Sequence, residues 1–207
     1  MTNLTLIIPT KKEAESLPKF LQEIKDLDYI KLIVLQKEDI ETKNAIKNFN
    51  NIKILEQKNN GYGNALIEGI NNTETEYCCI INADGSMDPK YLKEMFNECQ
   101  SRDFVFGSRY QKPGGGSDDD DIVTLIGNFI FTFLGNLLYN LKITDILYTY
   151  ILAKTSSMKK LNLKRSDFRI CVELPIKAKF LNMRYTCLPS YERQRIGGVK
   201  KVNPLKD

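Results

Sequence analysis

Two hundred and seven residues, 42% apolar and 27% charged, suit one compact domain and exclude both a disordered chain and a multi-span membrane protein. Histidine is absent, which removes a Ser-His-Asp triad, a histidine general base and the common zinc sites. The net charge of +4 divides into −6 over residues 1–153 and +10 over residues 154–207, so the C-terminal quarter is expected to meet an anionic partner or to form a solvated basic face.

Leu4 to Ile8 is an apolar, partly β-branched run stopped by Pro9 and reads as a buried strand. Leu17, Phe20, Leu21 and Ile24 fall at helical spacing within residues 13–27. Residues 31–35 form a second strand, 41–49 a weaker helix and 52–55 a third strand. A helix from about Gly63 to Ile70 follows, then a fourth strand over 77–81 and a helix over 89–99 with Pro89 in its first turn. Phe104 to Phe106 is a fifth strand. Strands alternating with helices predict βαβ units on a mostly parallel sheet covered on both faces. Cys78, Cys79, Cys99, Cys171 and Cys187 form no Cys-x-x-Cys pair, and free thiols in a reducing cytosol are expected.

Residues 112–121 read as a flexible loop ending in four aspartates, Asp118 to Asp121. Ile122 to Leu141 then runs for twenty residues without a formal charge. Its length would suit a membrane span, yet Thr124, Asn128, Thr132, Asn136 and Asn140 recur every fourth residue as one polar stripe. Packing in a core or homodimer, contact with a bilayer interface, and a true span are the three placements open to it.

Three strand ends carry the candidate chemistry, because α/β sheets bind ligands beyond the carboxyl ends of their strands. The first strand leads into Pro9-Thr10-Lys11-Lys12-Glu13. The third leads into Gly61-x-Gly63-x-Ala65-x-x-x-Gly69, where small residues let a backbone approach a ligand or a helix approach the sheet. The fourth ends in Asn82-Ala83-Asp84-Gly85, whose two oxygen-bearing side chains on alternate positions could face a hard divalent cation or simply form a turn.

Together with Phe106-Gly107-Ser108-Arg109-Tyr110 and Pro189-x-x-x-Arg193-x-x-x-Gly197-Gly198-x-Lys200-Lys201, these motifs resemble the family 2 glycosyltransferases of GT-A fold, and within them the polyprenyl-phosphate (dolichol-phosphate) sugar synthases. The resemblance implies a single α/β domain of Rossmann-like, GT-A type. Residues 1–110 would be its nucleotide-binding half and residues 111–207 its acceptor half. It implies inverting transfer from a UDP- or GDP-linked sugar to a polyprenyl phosphate or a cell-envelope glycan. Asp84 and Asn82 would hold Mg²⁺ or Mn²⁺, offsetting the charge of the leaving diphosphate. Pro9, Thr10, Glu13, Gln36, Gly61, Gly63, Asn82, Ala83 and Asp84 would bind the donor. Arg109, Arg193, Arg195, Lys200 and Lys201 would clamp phosphates, with Asp84 and Arg109 as the catalytic pair. An anionic acceptor oxygen needs no strong base, whereas a hydroxyl acceptor would need Asp84, Asp88, Asp145 or Glu173.

The sequence departs from the family's pattern in three places. Gln36-Lys37-Glu38-Asp39 replaces Asp-Asp-Gly-Ser, Asn82 replaces the first metal-binding Asp, and Asp118 to Asp121 replace Trp and Arg residues near the lipid phosphate. Four unpaired carboxylates there would repel a phosphate. These departures admit a second reading, a nucleotide-sugar binding protein without turnover. A nucleotidyltransferase is disfavoured because the sequence lacks the Gly-rich, Arg/Lys-bearing loop that such enzymes use on the triphosphate after the first strand, and no nucleic-acid module accompanies the basic tail. The long apolar helix and basic tail predict a cytoplasmic protein in peripheral contact with the inner membrane face.

Overall fold

A computed structural model describes residues 3–120 and 122–197. Its strands are β1 (Leu4–Thr10), β2 (Ile30–Leu35), β3 (Ile52–Glu56), β4 (Tyr77–Ile80), β5 (Phe104–Ser108), β6 (Gly116–Ser117), β7 (Ile151–Lys154), β8 (Tyr185–Pro189) and β9 (Tyr191–Glu192). The helices are α1 (Ser16–Glu23), α2 (Ile40–Ile46), α3 (Tyr62–Asn71), α4 (Leu92–Cys99), α5 (Ile122–Tyr139), α6 (Thr155–Lys160) and α7 (Ile170–Phe180), with a 3₁₀ turn at Pro89–Tyr91 ahead of α4.

Seven strands form one sheet in the order β3-β2-β1-β4-β7-β5-β8, and β6 pairs with β9 beside it. The expected α/β architecture, a mostly parallel sheet flanked by helices, is present. Strands β1 to β4 pair in parallel, as do β5 and β8. β7 runs antiparallel to both of its neighbours, β4 and β5. β1 continues through Pro9 to Thr10 rather than stopping at Ile8, because a proline near a strand end forfeits only one ladder bond.

Helical cover produces two apolar layers. One face joins Leu6, Ile8, Phe20, Ile33, Met95 and Tyr150; the other joins Ile7, Val34, Leu66, Ile80, Phe106 and Leu174. Neighbouring residues of the central strands thus feed opposite cores, which explains their unbroken apolar runs. The chain order reverses direction across β1 and β4. The crevice beyond their carboxyl ends is therefore the topological switch point.

α5 departs from the core placement expected as one of its alternatives. Only Asn128 and Gly135 of its eighteen residues are buried, so it is not a core helix. Its polar stripe faces inward. The Asn128 side-chain oxygen accepts from the Leu147 amide at 3.0 Å, and the Thr132 hydroxyl accepts from the Ile146 amide at 3.1 Å. Asn136 both accepts from the Ile143 amide and donates to its carbonyl. The helix is fastened to residues 143–147 over most of its length, and by length and composition it is also long and apolar enough to cross a membrane.

Candidate active site

A cleft of about 340 Å³ opens at the switch point. Pro9, Thr10, Lys11 and Glu13 line it after β1, Gln36 after β2, Gln57, Gly61 and Tyr62 after β3, and Asn82, Ala83 and Asp84 after β4. Arg109, Asp119, Asp120, Thr124, Tyr148, Glu192 and Arg195 close the other side. Every expected donor-side residue except Gly63 lies on this wall. Gln57 and Tyr148 join it without any local motif to mark them.

Gly63 serves packing. A Cβ there would sit 2.0 Å from the Arg165 carbonyl oxygen, and one on Gly61, whose φ is +123°, would sit 2.2 Å from that of Ser166. The Gly-x-Gly segment therefore lets the 165–166 backbone close over the start of α3, where Tyr62 stacks on Phe168 at 4.6 Å.

Asp84 is mostly buried at the cleft wall. One carboxylate oxygen accepts from the Ser86 amide at 3.1 Å, and the other lies 3.8 Å from the Arg195 guanidinium. Among the described residues no cluster of three acidic or cysteine side chains could cage a metal ion. One carboxylate and one amide, Asp84 and Asn82, suit instead an ion that arrives bound to substrate phosphates, the usual arrangement for Mg²⁺.

Arg109 sits among carboxylates. Its guanidinium donates twice to Asp145, at 2.7 and 3.0 Å, and once each to Asp120 at 2.9 Å and Glu192 at 3.2 Å. The Tyr148 ring lies 4.6 Å away beneath it. The arginine side chain is 6% exposed and that of Asp145 is fully buried. Burial alone would lower the Arg109 pKa, but Asp145, Glu192 and Asp120 outweigh it and hold the charge firmly. Burial raises the pKa of Glu192 against the opposing pull of Arg109. Arg109 thus lines the cleft as the centre of a buried hub of one cation and three carboxylates.

The acidic loop is compensated in part. Asp118 accepts from the Tyr191 hydroxyl, Asp119 from Arg195 at 2.6 Å, and Asp120 from Arg109 and the Tyr110 hydroxyl. β6 ties the loop to β9. The expected repulsion of a phosphate is thus offset at Asp119 and only partly at Asp120, whose arginine is shared with two other carboxylates, while Asp118 keeps its charge; Asp121 lies outside the described residues.

Arg193 does not line the cleft; it bonds Glu23 at 2.8 and 3.1 Å and the Gly85 carbonyl at 2.7 Å. Arg195 remains on the wall, between Asp84 and Asp119. Lys200 and Lys201 lie outside the described residues. Of the other carboxylates considered as bases, Asp145 serves Arg109. Asp88 caps the 3₁₀ turn and pairs with Lys90, and Glu173 accepts from the Lys164 and Arg165 amides. None of these three lines the cleft, whereas Glu192 does.

A mostly parallel sheet flanked by helices, with a cleft at its switch point, is the architecture of the GT-A fold. The profile of glycosyl transferase family 2 matches residues 5–161, and the chain belongs to that family, which makes it a glycosyltransferase. Its fold is similar to that of glucosyl-3-phosphoglycerate synthase from Mycobacterium tuberculosis, solved with Mn²⁺, UDP and glucosyl-3-phosphoglycerate. That likeness has a TM-score of 0.72 at 12% identity and covers 95% of this chain and 72% of that one. The same enzyme with Mn²⁺, UDP-glucose and phosphoglyceric acid gives 0.69 at 11% identity, covering 95% and 72%. Mannosyl-3-phosphoglycerate synthase from Rubrobacter xylanophilus gives 0.67 at 16% identity, covering 95% and 67%.

Proposed function

We propose that this protein transfers a sugar, with inversion, from a UDP- or GDP-linked donor to a phosphate-bearing acceptor, and that this acceptor is a polyprenyl phosphate at the cytoplasmic face of the membrane. The observation that carries the reading is the wall shared by Asp84, Arg195 and the N-terminal turn of α5, represented by Thr124. One end of the cleft is equipped for a diphosphate, and the other opens beside an exposed apolar helix along which a lipid chain could lie.

The division of labour follows from the residues. Pro9, Thr10, Glu13 and Gln36 would hold the nucleoside, with the Gln36 amide offering the paired donor and acceptor that a pyrimidine or guanine edge requires. Asp84 and Asn82 would hold Mg²⁺ or Mn²⁺, which when bound stabilises charge on the departing diphosphate. Arg195 faces the same region and could exchange Asp119 for a phosphate oxygen. The Arg109 hub would keep the Asp145-bearing segment and the Tyr148 ring in register, so it positions rather than reacts. A phosphate acceptor attacks with an oxygen that is already anionic, which suits a site without histidine. The Mn²⁺ and nucleotide complexes of the structural relatives support the donor side of this reading.

The test is product formation from UDP- and GDP-sugars with Mn²⁺, offering a short polyprenyl phosphate, 3-phosphoglycerate and a glycan as competing acceptors. The expected result is a glycolipid, lost in excess chelator and reduced at least about a hundredfold in Asp84→Ala. Glycosylation of the glycan or the phosphoglycerate alone would overturn the lipid acceptor while retaining the transferase. Donor binding without turnover on any acceptor would favour the non-catalytic reading prompted by Asn82 and Gln36-Lys37.

A further inference from the structure

α5 inverts the usual arrangement of an amphipathic surface helix, since its polar stripe is consumed by the backbone of residues 143–147 and its apolar side faces outward. Ile122, Val123, Ile126, Phe129, Phe133 and Leu137 are among the exposed residues, Phe129 at 71% and Leu137 at 66%. At 100° per residue these and their neighbours cover well over half of the helix circumference. The ridge continues onto α7, where Phe180 meets Tyr139 edge-on at 5.9 Å and Leu181 follows, also exposed. The exposed apolar surface is on the order of 1,000 Å², beyond the patch a soluble monomer ordinarily shows.

A hollow bearing four cations adjoins the end of this ridge. Arg102, Lys142, Lys179 and Arg184 line it together with Leu141 and Asn182. Lys142 and Lys179 have no carboxylate partner among the described residues, while Arg102 pairs with Glu98 and Arg184 lies 3.8 Å from Asp103. Lys179 and Asn182 of the hollow flank the exposed Phe180 and Leu181 in the chain, and Lys142 follows closely on the end of α5.

We propose that this face docks on an anionic phospholipid bilayer, with the α5 ridge and Phe180 immersed at the boundary between headgroups and acyl chains and the hollow receiving a lipid phosphate. This deepens the membrane-face reading given above, but its test requires no turnover, so the two can fail separately. Two features select a bilayer over a second copy. The exposed apolar residues cover well over half of the α5 circumference, so a second helix packed on it would cover only part of that arc, whereas a fluid interface surrounds it. The hollow, moreover, gathers four cations, Lys142 and Lys179 without a carboxylate partner among the described residues, and an anionic lipid surface supplies the matching charge. Partition then combines apolar insertion with attraction to anionic lipid.

The chain contains no tryptophan, so one introduced on the ridge is a single reporter. Phe133→Trp is titrated with phosphatidylglycerol and phosphatidylcholine vesicles, with Ile54→Trp on the distant β3 edge as reference. The expected result is a blue shift and quenching by acyl-brominated lipid for Phe133→Trp alone, stronger with the anionic vesicles. Adding Lys142→Gln and Lys179→Gln is expected to weaken binding roughly fivefold for each cation removed. Equal response of both reporters, or none from Phe133→Trp while circular dichroism shows a folded chain, would overturn the proposal. A blue shift that instead grows with protein concentration without vesicles, accompanied by a doubled mass, would assign the ridge to a homodimer and also overturn it.

Discussion

Replacing Arg109 by Met removes the single cation from a pocket in which Asp145, Asp120 and Glu192 have side chains 0%, 11% and 9% exposed. Methionine fills much of the same volume, so the loss is electrostatic rather than a cavity. Removing one partner of a buried ion pair costs about 3–5 kcal/mol, because the other charge remains desolvated. With three carboxylates left behind, the upper part of that range applies. For a domain of this size it corresponds to a fall in melting temperature of roughly 10 °C or more. The penalty must depend on pH. Burial already raises the Glu192 pKa and Arg109 opposes it, so removing Arg109 raises it further. A carboxyl whose folded pKa is raised contributes its stabilisation fully below its unfolded value near 4.5 and loses it as pH rises through the folded value. The deficit of Arg109→Met should therefore be largest at neutral pH and shrink toward pH 5. Urea unfolding followed by circular dichroism from pH 5 to 8 measures this directly. A deficit below about 1 kcal/mol, or one equal at both ends of that range, would refute the hub as a buried charge cluster.

Three further outcomes follow from the packing. Asn128→Leu leaves the Leu147 amide without its acceptor and should cost about 1–3 kcal/mol in denaturant unfolding. Gly63→Ala would drive a methyl into the Arg165 carbonyl. It should destabilise by about 1–3 kcal/mol and weaken calorimetric binding of UDP or GDP with Mn²⁺ by disturbing the neighbouring Gly61 wall. Burial raises the Cys78, Cys99 and Cys171 thiols to about 12 and lifts Cys79 well above its ordinary value, so all four should resist a thiol reagent at pH 8. Only the half-buried Cys187 should label slowly, and all five should react once the chain is unfolded.

The first five strands could be read because their apolar runs and the intervening helical spacing are local properties. Direction is not local. Ile151-Leu152-Ala153 is apolar enough for a strand, yet nothing within it says that it enters antiparallel between β4 and β5. The stripe of α5 was legible as a stripe, and its inward orientation was not. Unpaired amides of residues 143–147 make the polar side the one that packs, and their need for acceptors appears only in three dimensions. The Arg109 motif carried the same ambiguity. Asp120, Asp145 and Glu192 stand 11, 36 and 83 residues away, so an arginine that looks available to a phosphate in sequence is occupied in the fold. Donor-side residues were more readily found, because strand ends at a switch point converge whatever the helices between them contain.

The place of β7 has a consequence for how the chain can be made. Among the described residues β5 is hydrogen-bonded only to β7 and β8, so residues 104–108 have no strand to join until residues 151–154 have been synthesised and inserted. On the ribosome the four-strand unit β3-β2-β1-β4 can assemble first, with the edge of β4 unpaired and adhesive in the interval. The intervening stretch contains all of α5, so the most apolar segment of the protein emerges during the same window in which the sheet is open. Synthesis close to a surface that takes up that helix would shield both hazards at once.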